Sequence, residues 1–146
     1  RTINNHPEIE ICDYQNLKNG KNFKRENGCV IQNKELTLDP PKPLSYAYCS
    51  DTAYSESIIP LIEQVDLLYH ESTFLEEHLE LAKKTKHSTA MEAGRIAAKA
   101  NVKKLLLGHY SSRYKNLEVF LNEANQVFAN TELAEAGKQI YIDTYN

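Results

Sequence analysis

From Ser45 onward the chain alternates short apolar runs with segments of helical periodicity, and this alternation restricts the fold more than any other feature. The apolar runs lie at 45–50 (SYAYCS), 66–70 (DLLYH), 103–108 (KKLLLG) and 138–142 (KQIYI). The spacing predicts helices at about 55–64, 73–83, 88–100 and 116–130. The third of these opens on HSTAMEAGRIAAKA, where Ser88 or Thr89 can cap the helix and Glu92 stands close to the capping-box position. Ala93, Ile96, Ala97 and Ala100 then recur on one face, and Leu117, Phe120, Leu121, Ala124, Val127 and Phe128 recur at 3 and 4 spacing in the last helix. Strand–helix–strand order of this kind argues for an α/β fold built from βαβ units, with a sheet covered by helices.

Residues 1–44 differ in character from 45–146. They are polar and turn-rich, with Asn19-Gly20 and Asn27-Gly28 each inviting a tight turn or hairpin. GCVI and ELTL read as short edge strands, and DPPKP stays extended and marks a junction. The whole chain has 146 residues, enough to bury a core without disulfides or metals. Its formal charge is -3, so any contact with nucleic acid has to be local rather than spread over the surface. Cys12, Cys29 and Cys49 are odd in number and scattered, with no metal spacing, which points to a reducing compartment and a cytoplasmic protein. No apolar run reaches the roughly 18–20 residues of a membrane span, and the first residues carry no apolar signal-peptide core.

The chemistry-bearing residues fall just after the apolar runs. SYAYCS leads into Asp51-Thr52, DLLYH into Glu71-Ser72-Thr73, and KKLLLG into His109-Tyr110-Ser111-Ser112-Arg113. His87-Ser88-Thr89 stands at the mouth of a helix. In sheets built from βαβ units, ligands bind beyond the carboxyl ends of the strands. A carboxylate, imidazoles and hydroxyls meeting there suit a metal site or a hydrolase. Simpler roles stand beside these. Asp51 can open a turn, His70 and Glu71 can be strand-end polarity facing water, and Ser88 and Thr89 can serve as caps alone. Ser111 and Ser112 can cap the last helix. His78 reads as a residue on a solvated helix face within the charge run LEEHLELAKK, where i,i+4 pairs are expected, and His6 has no evident role.

Taken in order and at these separations, YCSDT, HESTF, KHSTAMEAGRIA and LLLGHYSSRY resemble the C-terminal half of the ribonuclease Z family, the tRNA 3′-processing endonucleases of the metallo-β-lactamase superfamily. The resemblance is strong over about 45–142. It is weaker over YQNLKNGKNF and ENGCVI, which are similar to the segment after the family's substrate arm. HEST differs from the family's usual His-Glu-Ala-Thr by one small residue. The resemblance implies the C-terminal half of an αββα sandwich. It makes Asp51 the aspartate bridging two zinc ions and His109 a histidine ligand of the second. It makes His87 a proton donor or transition-state stabiliser beside the scissile phosphate, and Glu71 the carboxylate that orients it. Ser111, Ser112 and Arg113 become phosphate contacts. The implied reaction is metal-assisted hydrolysis that removes 3′ trailers from precursor tRNA, by a homodimer.

The superfamily's His-x-His-x-Asp-His motif is absent, and His6, His70, His78, His87 and His109 cannot supply it. The resemblance therefore implies a C-terminal piece of a longer protein whose N-terminal half is missing, consistent with a chain that begins at Arg1. Such a piece is expected to be inactive alone, with His109 short of fellow ligands. Two other readings remain: a different phosphodiesterase or sulfatase of the same fold, and a non-catalytic fragment that covers its exposed sheet face by self-association.

Overall fold

The computed structural model describes residues 2–4 and 6–142. They form two units that divide between Pro43 and Leu44. The first unit is small and built from short pieces. Strand β1 (Thr2–Ile3) is followed by helix α1 (Ile11–Lys18), β2 (Phe23–Lys24), β3 (Val30–Ile31), α2 (Asn33–Leu36) and β4 (Thr37–Leu38). β1 pairs antiparallel with β4, and β2 with β3. Both Asn-Gly pairs make the expected turns. Gly20 (φ 81°) closes α1, and Gly28 (φ 86°) turns the β2–β3 hairpin, where Arg25 N–H donates to the Cys29 carbonyl at 2.8 Å. Buried Leu17 and Leu36 supply the apolar centre, and buried Asn33 donates through Nδ2 to the carbonyls of Leu17 and Lys21, both at 2.8 Å.

The second unit carries β5 (Tyr46–Cys49), β6 (Leu67–Glu71), α3 (Leu79–Thr85), α4 (Ala90–Lys99), β7 (Leu105–Gly108), α5 (Glu118–Ala124) and β8 (Thr131–Leu133). Its four strands form one sheet in the order β5-β6-β7-β8, every pair parallel. Residues alternate across the pleat. Ala47, Cys49, Leu68, Leu105 and Leu107 pack with the small-residue face of α4 (Ala90, Ala93, Ile96, Ala97) and with Phe120 and Ala124 of α5. On the opposite parity, Tyr48 stacks on Tyr69 at 4.6 Å, and Tyr46 and Tyr48 are 54% and 63% exposed. Tyr69 lies across Gly108, where a Cβ would sit 2.2 Å from the phenol oxygen, so its ring uses the space that glycine leaves.

Several elements differ from the sequence expectation for local reasons. The segment expected as a helix over 55–64 is a 3-10 helix, Glu56–Leu61, with Pro60 inside it, a residue that removes one backbone donor. The helix expected over 73–83 begins later. Phe74 is extended and bridges Thr89, a 3-10 turn spans Glu76–His78, and α3 follows. The charge run within it forms an i,i+3 pair, Glu80–Lys83, at 2.8 Å. The helix expected over 116–130 is α5 alone, because the chain then turns. Val127 and Phe128 both donate back to the Ala124 carbonyl, and Thr131 Oγ1 donates to the Phe128 carbonyl. The last strand is therefore Thr131–Leu133, paired with Leu105–Leu107, and 138–142 is not a strand. Gly137 (φ 82°) turns the chain before it can extend the ladder. Thr89 caps α4 in a reciprocal box with Glu92, as the sequence predicts.

Gly94 of α4 packs against the end of α5 and the turn after it. A Cβ there would lie 2.7 Å from Val127 Cγ2 and 3.1 Å from the Ala124 carbonyl oxygen. Backbone cannot yield as a side-chain tip can, so overpacking outweighs the helix propensity that alanine brings. We expect Gly94→Ala to destabilise the fold by about 1–2 kcal/mol. Urea unfolding of the two forms checks this; an unchanged or raised midpoint contradicts it.

Candidate functional site

The carboxyl ends of β5, β6 and β7 gather the polar clusters, as the topology requires of neighbouring parallel strands. After β6 the chain stays extended and is held between two other segments. Ser72 N–H donates to the Gly108 carbonyl at 2.8 Å, and Ser111 N–H donates to the Thr73 carbonyl at 3.1 Å. On the other side, Phe74 N–H donates to the Ser88 carbonyl and Ala90 N–H to the Phe74 carbonyl. The hydroxyl of Ser72, where the related motif has alanine, donates to the Gly108 carbonyl at 3.2 Å and so is satisfied in its buried position.

Glu71 is the centre. Its side chain is 0% exposed, so the reading of His70 and Glu71 as strand-end polarity facing water does not hold; His70 is buried too. Five donors surround the carboxylate. Oε1 accepts from Thr52 N–H at 2.7 Å and from His87 Nδ1 at 2.8 Å. Oε2 accepts from the Thr73 hydroxyl at 2.6 Å, Ser88 N–H at 3.2 Å and Thr73 N–H at 3.3 Å. Burial alone would push this acid up. The bonds from Thr73, His87, Ser88 and Thr52 outweigh it and hold Glu71 below the ordinary glutamate range, hence ionised.

Around this carboxylate stand the two histidines singled out in the sequence. The rings of His87 and His109 stack at 5.3 Å, and His109 Nδ1 lies 2.8 Å from Thr73 Oγ1. His109 Nε2 lies 3.3 Å from Asp51 Oδ1. Ligand atoms of Asp51, His87 and His109 all fall within 4.8 Å of one another. His109 thus has two neighbours able to share a metal, more than the sequence suggests. One carboxylate oxygen and two imidazole nitrogens make a donor set that zinc accepts. Asp51 (φ 50°) and His109 (φ 59°) both hold the left-handed backbone that residues with a Cβ rarely adopt, at a cost of about 1–3 kcal/mol each.

The serine–arginine segment lies at the rim. Ser112 and Arg113 are exposed, and the Arg113 guanidinium sits 5.3 Å from the centre of the Phe74 ring. Neither Ser111 nor Ser112 caps α5; Asn116 Oδ1 instead accepts from Glu118 N–H near its start. His78 is not a free surface residue. The Tyr114 hydroxyl lies 2.9 Å from His78 Nδ1 and accepts from Leu75 N–H at 3.2 Å, joining the end of the GHYSSRY segment to the loop after β6. Burial pushes the Tyr110 phenol up to about 12, and its hydroxyl donates to the Leu107 carbonyl, so this tyrosine is structural. Sequence reasoning missed Thr73 as a site residue. Its signal was present: a hydroxyl two residues after Glu71 in HEST.

No family model matches the chain. It is 45% identical over 142 residues to a ribonuclease Z of Parabacteroides distasonis and 46% identical over 132 residues to one of Porphyromonas gingivalis. These matches cover 97% and 90% of the chain, but the chain spans only 47% and 43% of those relatives. Among solved structures, it is similar to the metallo-β-lactamase fold protein YhfI of Bacillus subtilis (TM-score 0.60, 32% identity), covering 64% of this chain and 38% of that one. It is also similar to the short form of human tRNase Z (TM-score 0.56, 25% identity), covering 78% and 37%. By sequence along nearly its whole length, and by fold, the chain is similar to part of ribonuclease Z and other metallo-β-lactamase fold proteins, and it spans less than half the length of the curated relatives it matches.

Proposed function

We propose that the complete protein is a zinc-dependent endoribonuclease that removes 3′ trailers from precursor tRNA, in the cytoplasm and as a homodimer. Supporting this reading are the names of the relatives matched at 45% and 46% identity. The single observation that carries it is the Glu71–His87 pair, 2.8 Å apart, set beside the Asp51–His109 pair, 3.3 Å apart. One pair is fit to move a proton and the other to hold a metal. Residues 1–44 are then the segment that follows the substrate arm, and 45–146 the C-terminal half of the catalytic domain.

Asp51 and His109 would hold zinc, with further ligands from sequence beyond this chain. Bound there, zinc activates water at neutral pH and stabilises charge on a phosphoryl group. The remaining work falls to side chains of this chain. Glu71 accepts a hydrogen bond from His87 Nδ1–H; when both ring nitrogens carry a proton, Nε2–H gives its proton to the departing 3′ oxygen and leaves the neutral ring with its proton on Nδ1. Arg113, resting on Phe74, offers a planar fork to a backbone phosphate, and the hydroxyls of Ser111 and Ser112 donate beside it. Recognition of RNA through such a local rim agrees with a net charge of -3.

Three outcomes are expected. The full-length protein removes the 3′ trailer of precursor tRNA in a zinc-dependent manner, and the 146-residue chain alone does not. Robust zinc-dependent cutting by the chain alone overturns the division of labour, and cleavage of small phosphodiesters without tRNA cleavage overturns the substrate. His87→Ala in the full-length protein lowers kcat by about 10²–10⁴-fold, the usual worth of a positioned acid or base, with KM for the tRNA little changed.

Glu71→Gln presents an amide N–H₂ to backbone donors. It should destabilise the protein by about 1–3 kcal/mol at neutral pH. Because the Glu71 pKa is lowered in the folded state, its contribution is present above the ordinary carboxylate pKa of about 4.3 and fades as pH falls through the depressed value. The stability gap between wild type and Glu71→Gln, measured by urea unfolding across pH 3–7, should close toward acid. A gap that widens there contradicts the assignment of an ionised Glu71.

A further inference from the structure

Thr73 touches three members of the site at once. Its Oγ1 lies 2.6 Å from Glu71 Oε2, 2.8 Å from His109 Nδ1 and 3.3 Å from His87 Nδ1. A hydroxyl has one proton to give and two lone pairs to accept with. Glu71 Oε2 also accepts from two backbone N–H groups, so it acts as an acceptor and takes the hydroxyl proton. Thr73 Oγ1 has then nothing left to donate and can only accept from His109. The proton of a neutral His109 is thereby placed on Nδ1, and Nε2 is left bare on the side facing Asp51. The same carboxylate fixes the same tautomer in His87 directly through Oε1.

We propose that Thr73 is a positioning residue that carries the proton order set by Glu71 across to His109, so that one buried carboxylate determines which ring nitrogen both histidines present to the site. The inference rests on reading His109 as a metal ligand. It adds that the ligand and the proton-transferring histidine are oriented by one shared network rather than separately. Buried, Thr73 has no solvent to replace a lost bond. Its methyl is not needed for the relay, so a variant that keeps the hydroxyl should keep the function.

The test uses the full-length protein with Thr73→Val, which keeps the shape, and Thr73→Ser, which keeps the hydroxyl. Zinc affinity is read by chelator competition, and the tautomers of His87 and His109 by long-range ¹H–¹⁵N spectra of the metal-free protein. Thr73→Val should weaken zinc binding by about 10–100-fold, the usual effect of losing a group that orients a metal-bound histidine, and Thr73→Ser should restore most of it. In the wild-type metal-free spectra, neutral His109 should carry its proton on Nδ1, and in Thr73→Val it should show a mixture. A wild-type His109 protonated on Nε2 overturns the proposal even if Thr73→Val fails to fold, and so does unaltered zinc affinity in a folded Thr73→Val. Zinc binding that Asp51→Asn and His109→Ala leave untouched overturns the metal reading itself, a result separate from the tautomer measurement.

Discussion

A carboxylate with no exposure to water, held by five donors from three stretches of chain, is the interaction on which the rest of this site depends. Burying an ion is costly unless every lone pair is used. Here Thr52 brings in the turn after β5, Thr73 the extension of β6, His87 and Ser88 the loop before α4, and Thr73 in turn reaches His109 after β7. Removing any donor leaves the charge under-compensated. The three strand ends are therefore held together by the electrostatic need of one residue as much as by the sheet. The strained backbone at Asp51 and His109 is affordable only because the loops around it are fixed in this way.

The fold makes that convergence possible at low cost. With β5, β6 and β7 parallel and adjacent, their carboxyl ends share one rim, and Cys49, His70 and Leu107 lie level across the sheet. The small side chains of α4 let the helix lie close on the sheet, and its capping box puts the Thr89 end of the helix next to the loop that holds His87. The segment that carries Arg113 is tied down in turn. Tyr114 bonds back to the loop after β6 and packs against Phe120 at 4.9 Å, so the rim that carries Arg113 is anchored on the core of the unit.

Much of this was legible in the sequence because periodicity and capping are local signals. The runs SYAYCS, DLLYH and KKLLLG became strands, and the Thr89–Glu92 box opened α4 where expected. The failures came where a long-range partner decides. Thr131-Glu132-Leu133 has no strong strand pattern, yet it pairs with β7, while the better-looking KQIYI has no ladder to join. An apolar repeat over 116–130 could not reveal that the chain must turn after Ala124 to reach that ladder. Within the site, Asp51, Glu71, His87 and His109 stood out by residue type. Thr73 did not, because a threonine after a strand is ordinary until its hydroxyl is found between a carboxylate and two imidazoles.

The exposure of the site residues is graded, and the gradient has a meaning. Glu71 is 0% exposed at its side chain, His87 23%, His109 41% and Asp51 71%. Glu71, whose carboxylate holds His87, is sealed by this chain's own loops, while His109 and Asp51 face outward. A site finished within the chain would bury its ligands to exclude water and sharpen their electrostatics. The open sheet face gives the same sense: Tyr46 and Tyr48, aromatic and more than half exposed, lie on the side away from α4. Orientation here is intrinsic to the chain, and enclosure is not. On the proposed reading, further ligands would meet Asp51 and His109 from the open side, beside a His87 that Glu71 already holds.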